Sequence, residues 1–244
     1  MKAILLAAGK GTRLKPYTDT VPKCLIPIHG APLLKIWIDL FDRFGICEVL
    51  INTHHHAEKV ERFVGTIQDQ TRVKLTTVFE KQLLGSGGTL FENRVFVKDC
   101  KDFIIAYADN LTNIDLDGMI AYHRQCTAMG GILTMGLFRT TDPENCGIAD
   151  LDNHNRVVQF VEKPRYPSSN LANAGIFVAS QKLFEYTSTF EKENNGSPFD
   201  LGLHILPKLV DSMYGYLIKE YLRDIGTVES YHQALEDWPR ESKR

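Results

Sequence analysis

The chain has 244 residues, enough to bury one sizeable core, and reads as a single domain over 1–244. Its 28 Lys plus Arg against 30 Asp plus Glu leave a net charge of -2, which excludes the strong field that nucleic acid or an anionic membrane would require. A protein acting on small molecules is expected, as a monomer or homodimer.

The opening run Ile4-Leu5-Leu6-Ala7-Ala8 breaks at once into Gly9 and Lys10, too short for a signal peptide or spanning helix, so a cytoplasmic location is expected. Five cysteines are scattered without a CxxC pair, which predicts reduced, mostly buried thiols rather than a disulfide framework or zinc site.

In chain order, Lys2 to Leu6 reads as a strand, followed by a Gly-rich loop. Leu34, Trp37, Ile38, Leu40, Phe41 and Phe44 fall on one side of a helix over Leu33 to Phe44, which Gly45 ends. A strand is predicted over Glu48 to Thr53, a helix over Glu58 to Val64 and a strand over Lys74 to Phe79. A Gly-rich turn then leads into a helix near Leu90 to Phe96. Asp102 to Ala108 reads as a strand, Asp117 to Cys126 as a helix, and Gly131 to Phe138 as a buried strand. Strand runs alternating with helix-period segments are the pattern of an α/β domain.

From Gly147 the texture changes to strand runs at Ile148 to Leu151, Val157 to Glu162 and Ala174 to Val178, which read as extensions of the same sheet. A helix over Leu201 to Val210, a strand near Tyr216 to Lys219 and a helix over Val228 to Leu235 follow. The charged stretch 236–244 reads as a frayed tail.

The loop after the first strand is Gly9-Lys10-Gly11-Thr12-Arg13-Leu14, and Pro22-Lys23 follows. Glycines there let backbone N–H groups approach a phosphate, and Arg13 and Lys23 add positive charge. Two phosphate motifs are excluded by spacing. The dinucleotide fingerprint needs Gly where Leu14 stands and an acid where Asn52 and Thr53 stand, and no segment supplies a Walker loop.

The run Leu6-Ala7-Ala8-Gly9-Lys10-Gly11-Thr12-Arg13-Leu14 with Pro22-Lys23 resembles the signature of sugar-1-phosphate nucleotidyltransferases, in particular the short mannose-1-phosphate or manno-heptose-1-phosphate guanylyltransferase-like form. The resemblance continues in order through Leu84-Gly85-Ser86-Gly87-Gly88, Asp109-Asn110, Gly147, Glu162-Lys163-Pro164, Asn173-Ala174-Gly175 and Asp224-Ile225-Gly226-Thr227. It implies a Rossmann-like three-layer αβα domain of the nucleotide-diphospho-sugar transferase type, with a mixed, mainly parallel central sheet. Residues 1–140 would be the mainly nucleotide-binding part and 141–235 the mainly sugar-binding part.

The reaction implied joins a nucleoside triphosphate and a sugar 1-phosphate into an NDP-sugar and releases pyrophosphate. A sugar phosphate is already an anionic nucleophile near neutral pH, so no general base is needed. Charge is the difficulty, and cations must answer it. The resemblance gives Arg13 the triphosphate and Lys23 the α-phosphate and sugar phosphate, with Leu6, Ala8, Gly9, Gly11, Thr12, Glu80, Gly85 and Asp109 also on the nucleotide. Asp109 and Asp224 would hold Mg²⁺, which accepts one or two carboxylates and completes its octahedron with phosphates and water. Gly147, Glu162, Lys163 and Asn173 would face the sugar.

Glu80 can accept from the N1–H and N2–H₂ of guanine, which favours GTP with mannose 1-phosphate or a manno-heptose 1-phosphate. A UTP-, dTTP- or CTP-using enzyme acting on glucose or an amino sugar is the alternative. A non-catalytic nucleotide-sugar-binding regulatory subunit is a rival of another class. Ala108 and Cys146 depart from the family's usual Gly and aromatic residue. His54-His55-His56 is not expected to bind metal, because strand side chains alternate.

Overall fold

A computed structural model describes residues 1–185 and 197–239. The predicted alternation is realised as β1 (Lys2–Leu6), β2 (Pro27–Ile28), β3 (Ala31–Pro32), α1 (Leu33–Arg43), β4 (Glu48–Thr53), α2 (Ala57–Ile67), β5 (Lys74–Phe79), α3 (Gly85–Glu92), α4 (Arg94–Val97), β6 (Asp102–Tyr107) and β7 (Asn110–Thr112). It continues through α5 (Leu116–Ala128), β8 (Leu133–Arg139), β9 (Gly147–Leu151), β10 (Val157–Glu162), β11 (Leu171–Ser180), β12 (Met213–Leu217), β13 (Leu222–Asp224) and α6 (Val228–Asp237).

Contacts divide the chain into two compact units, and the division falls inside β1 and β6. The first comprises 1–4, 83–106 and 115–219. Its organising strand is β11, antiparallel to β6, β8 and β9, while β9 carries β10 antiparallel and β8 carries β12 parallel. Phe103 to Ala106 of β6 and Ile176 to Ala179 of β11 are fully buried, as continuous apolar runs predict. The three strand runs predicted from Gly147 onward, now β9, β10 and β11, all join this same sheet.

The second unit comprises 5–82, 107–114 and 220–244. Here β4 and β5 pair in parallel, β7 and β13 antiparallel, and β2 and β3 form a two-residue hairpin through His29 and Gly30 at φ 49° and 90°. Helix α1 buries Leu33, Leu34, Trp37, Ile38, Leu40 and Phe41, each contributing about 1.5–3 kcal/mol. The indole N–H of Trp37 is satisfied by the Asn110 carbonyl at 2.7 Å. Gly45, at φ 68°, stops the helix as expected.

Three expectations are corrected. Gly85 to Gly88 is the first turn of α3, not a turn before it, because the Gly87 and Gly88 N–H groups donate to the Phe199 carbonyl at 2.9 and 3.1 Å. Residues 201–209 form a π turn followed by a 3₁₀ turn rather than one α-helix, with Pro207 unable to supply an N–H. Helix α6 runs on into the charged tail as far as Asp237, where Arg223 Nη2 meets Asp237 Oδ2 at 2.9 Å, while 240–244 lie outside the described residues.

All five cysteines are thiols outside any disulfide, but only Cys24 and Cys126 are buried, so the expectation of mostly buried thiols is not met. Among the described residues no helix is long and apolar enough to cross a membrane.

Candidate active site

In the second unit, the loop after β1 turns at Gly11, whose φ is 64°. A Cβ there would stand 2.8 Å from Thr18 Cγ2 and 3.2 Å from Lys23 Cβ, so glycine is required on two counts. Thr18 Oγ1 donates to the Gly11 carbonyl at 2.7 Å, and Leu14 buries fully beneath the single turn Thr12–Leu14. Gly9 is different: beyond its own chain neighbours, nothing lies within 4 Å of where its Cβ would be. Arg13 is exposed on that turn, while Leu6 and Ala8 are buried at the end of β1 and just beyond it.

Lys23 is 8% exposed, and its ammonium stands 2.6 Å from Asp109 Oδ2 and 3.6 Å from Asp224 Oδ1. Burial opposes its charge, but the two carboxylates more than offset this and raise its pKa above the ordinary lysine value. Asp109 follows β6 and Asp224 ends β13. Backbone pairing sets them side by side: Asp224 is in register with Asn110, and Ile225 N donates to the Asp109 carbonyl at 2.8 Å. Partial loss of water, then the negative charge of Asp109, pushes the Asp224 carboxyl up, with Lys23 and Arg13 pulling the other way.

This arrangement fits a hard cation. Two carboxylates already converge on one positive charge, and their mutual repulsion registers in the raised Asp224. Among the described residues no group of three or more His, Cys, Asp or Glu could hold a metal ion alone, so such an ion would need substrate phosphates and water as further ligands. The order of motifs in the sequence assigned Lys23 to phosphates and the aspartates to metal, and did not reveal that the three side chains touch.

A second cluster in this unit is built on Asn52, which in the sequence served only to exclude a dinucleotide fingerprint. Its Oδ1 accepts from Ala7 N at 2.6 Å and its Nδ2 donates to Glu80 Oε1 at 2.8 Å. Both Asn52 and Glu80 are buried. Of the histidine run, His54 Nδ1 lies 2.9 Å from the Glu80 carbonyl, His55 and His56 pack ring to ring, and His56 Nε2 lies 3.1 Å from the Asp19 carbonyl.

The first unit carries the remaining candidates. Glu162 is in register with Gly147 across β10 and β9. A Cβ on Gly147 would lie 2.5 Å from Glu162 Oε2, and one on Gly202 would lie 2.6 Å from the same oxygen. The carboxylate is thus threaded between two glycines, of which the sequence suggested only the first. Burial raises its pKa, the neighbouring Lys163 opposes, and Asp200 adds to the rise. Lys163 is exposed at φ 51°. Asn173 Oδ1 accepts from Gly175 N at 2.9 Å where the β11–β8 register slips, so its side chain closes a bulge.

Gly85, at φ 76°, would place a Cβ 2.4 Å from the Phe199 carbonyl oxygen. Beside it, Ser86 N and Oγ both donate to Asp200 Oδ1, at 3.3 and 3.1 Å. These contacts explain the glycine-rich segment by packing against Phe199.

Residues 2–241 match the model of the nucleotidyl transferase family. The chain is 31% identical to a UTP–glucose-1-phosphate uridylyltransferase of Synechocystis, with 96% of this chain and 62% of the relative covered. It is 30% identical to a putative mannose-1-phosphate guanyltransferase of Sulfolobus acidocaldarius, with 95% and 61% covered. The chain therefore spans about three fifths of the length of these relatives. A crystal structure of a putative glucose-1-phosphate thymidylyltransferase from Bacillus anthracis superposes with TM-score 0.85 at 24% identity, covering 99% of this chain and 98% of that one. The fold is accordingly the Rossmann-like, mixed and mainly parallel α/β class expected.

Proposed function

The chain belongs to the nucleotidyl transferase family, and from that premise we propose that it transfers a nucleoside monophosphate from an NTP to a sugar 1-phosphate. A sugar phosphate oxygen attacks the α-phosphorus, the bond from that phosphorus to the bridging oxygen of the β-phosphate breaks, and pyrophosphate leaves. The observation that carries this reading is the Lys23 ammonium held between Asp109 and Asp224. A side chain kept cationic there is suited to two anions that must approach each other.

Arg13 is exposed on a loop pinned by Gly11, and it would hold the β- and γ-phosphates and the departing charge. The open space at Gly9 suits close approach of backbone to phosphate, with the backbone of Leu6, Ala8 and Thr12 alongside. Mg²⁺ bound by Asp109 and Asp224 would neutralise phosphate charge. In the first unit, Glu162, Lys163, Asn173 and the Gly147 backbone would take the sugar, and Gly85 would contribute backbone to the nucleotide.

Glu80 as an acceptor supports guanine, and the similarity to the Sulfolobus guanyltransferase supports GTP with mannose 1-phosphate or a manno-heptose 1-phosphate. The similarity to the Synechocystis uridylyltransferase supports a second reading, UTP with glucose 1-phosphate. Pyrophosphate release, measured with GTP, UTP, dTTP, CTP and ATP crossed against mannose, glucose, heptose and amino-sugar 1-phosphates, separates them. One nucleotide and one sugar should be needed together; release with neither partner selective would defeat the specificity assignment.

Gly147→Ala tests the sugar side. Its methyl collides with the Glu162 carboxylate, so the KM for sugar 1-phosphate should rise at least about tenfold while the KM for nucleotide stays near its original value. Equal effects on both substrates would argue against a sugar-facing Glu162.

A further inference from the structure

The geometry points to Asn52 as the positioning residue that decides which hydrogen-bonding face residue 80 offers the base; this role rests on the nucleotidyl-transfer reading above. Asn52, 3% exposed, is the fifth residue of β4, and Glu80, 4% exposed, follows the last residue of β5. The two strands run parallel and in register, Thr53 against Phe79, which brings the side chains of 52 and 80 together.

The direction of the relay is set by the backbone. An amide N–H can only donate, so Ala7 N, 2.6 Å from Asn52 Oδ1, fixes which way round the Asn52 amide lies. Its Nδ2 must then face residue 80, where it donates to Glu80 Oε1 at 2.8 Å. Residue 80 is held at its backbone as well: its N–H donates to the Thr53 carbonyl at 2.8 Å, and His54 Nδ1 engages its carbonyl at 2.9 Å. With Asn52 donating to Oε1, an ionised carboxylate at 80 can offer a base only acceptor lone pairs.

Two consequences follow from hydrogen-bond polarity. A glutamate at 80 always meets the base as an acceptor. A glutamine there must turn its Oε1 to the Asn52 donor, and so presents its NH₂ to the base. Aspartate at 52 would place a second carboxylate against Glu80 and force the pair to share a proton. An apolar residue at 52 would leave the buried Ala7 N–H without its acceptor.

The polarity is testable because it can be reversed twice. In Glu80→Gln, kcat/KM for the nucleotide that the wild type uses best should fall at least about tenfold, mostly through KM, as a donor replaces an acceptor. Asn52→Asp should fall comparably at pH 8 and recover partly at lower pH. In N52D/E80Q, the carboxylate at 52 accepts from both Ala7 N and the side-chain NH₂ at 80, which returns the amide oxygen at 80 to the base. This double variant should recover to within about threefold of wild type.

A double variant no better than its worse parent, with melting temperatures alike, would overturn the relay while leaving the reaction intact. Should N52D not fold, N52A/E80Q replaces it: without the relay the introduced amide at 80 is free to turn, and the penalty of E80Q alone should shrink; an undiminished penalty overturns the relay. If the wild type turns over no nucleotide, the proposed reaction fails by itself. The same ranking is then read from Kd values for GTP and UTP by calorimetry, and its absence there overturns the relay too.

Discussion

Lys23→Ala is expected to lower kcat by at least about a hundredfold, the scale of losing one preorganised stabiliser of transition-state charge. Two features of the site make the effect large. The ammonium is nearly buried and held charged by two carboxylates, so it is fixed in place before substrate arrives. Its removal also leaves Asp109 and Asp224 facing incoming phosphates without the cation between them.

Lys23→Arg should not restore the rate. The compact ammonium sits 2.6 Å from Asp109 Oδ2 and 3.6 Å from Asp224 Oδ1, and a planar guanidinium on a longer stem cannot reproduce that placement. The variants should remain folded, since the Asp109 and Asp224 side chains are 36% and 55% exposed and can hydrate. Circular dichroism with a thermal melt checks the fold, and a stopped pyrophosphate assay reads kcat. Turnover near wild type in K23A would remove Lys23 from the machinery.

Asp109→Asn should be nearly as costly, but in a way that depends on metal. Losing one of two carboxylates lowers affinity for a hard divalent ion, so the rate at limiting magnesium should fall about a hundredfold and recover in part as magnesium is raised. A pH effect accompanies it in the wild type. The Asp224 carboxyl has a raised pKa, so as pH falls it takes up a proton above the ordinary carboxylate range of about 3.9. The magnesium concentration for half-maximal rate should therefore climb on the acid side. A titration of rate against magnesium at several pH values checks both claims, and full activity of D109N at limiting magnesium would contradict the assignment.

Much of the fold was legible because its strands are short runs rich in apolar and β-branched residues, closed by polar or turn residues. β1, β4, β5 and β10 have the boundaries expected from the pattern, and α1 follows from the spacing of Leu34, Trp37, Ile38 and Phe41. The expectations that failed depend on partners far away in sequence. Gly85 to Gly88 looks like a turn because glycine is a helix breaker, but the Phe199 carbonyl caps those N–H groups and makes a helix start of them. No local pattern contains Phe199.

The site divides the same way. Arg13, Lys23, Asp109 and Asp224 stand out through the order of short motifs, yet that Lys23 bridges the aspartates is a product of the β7–β13 pairing. Asn52 and Gly202 escaped notice because each matters only through long-range contacts: Asn52 through Glu80 and Ala7, Gly202 through Glu162. A polar Asn after the apolar run Val49 to Ile51 was the one available signal. Gly9 and Gly11, alike in sequence, proved unlike in space, one open and one crowded.

The most direct test follows the α-phosphate. NTP labelled with ³²P at the α position is incubated with sugar 1-phosphate and magnesium, and the products are separated. Label is expected to move into a sugar nucleotide only when both substrates and magnesium are present, with one pyrophosphate released per label transferred. Label recovered as free NMP, or left in NTP while calorimetry shows nucleotide sugar bound, would contradict nucleotidyl transfer; the second result would make the chain a binding subunit without transferase activity.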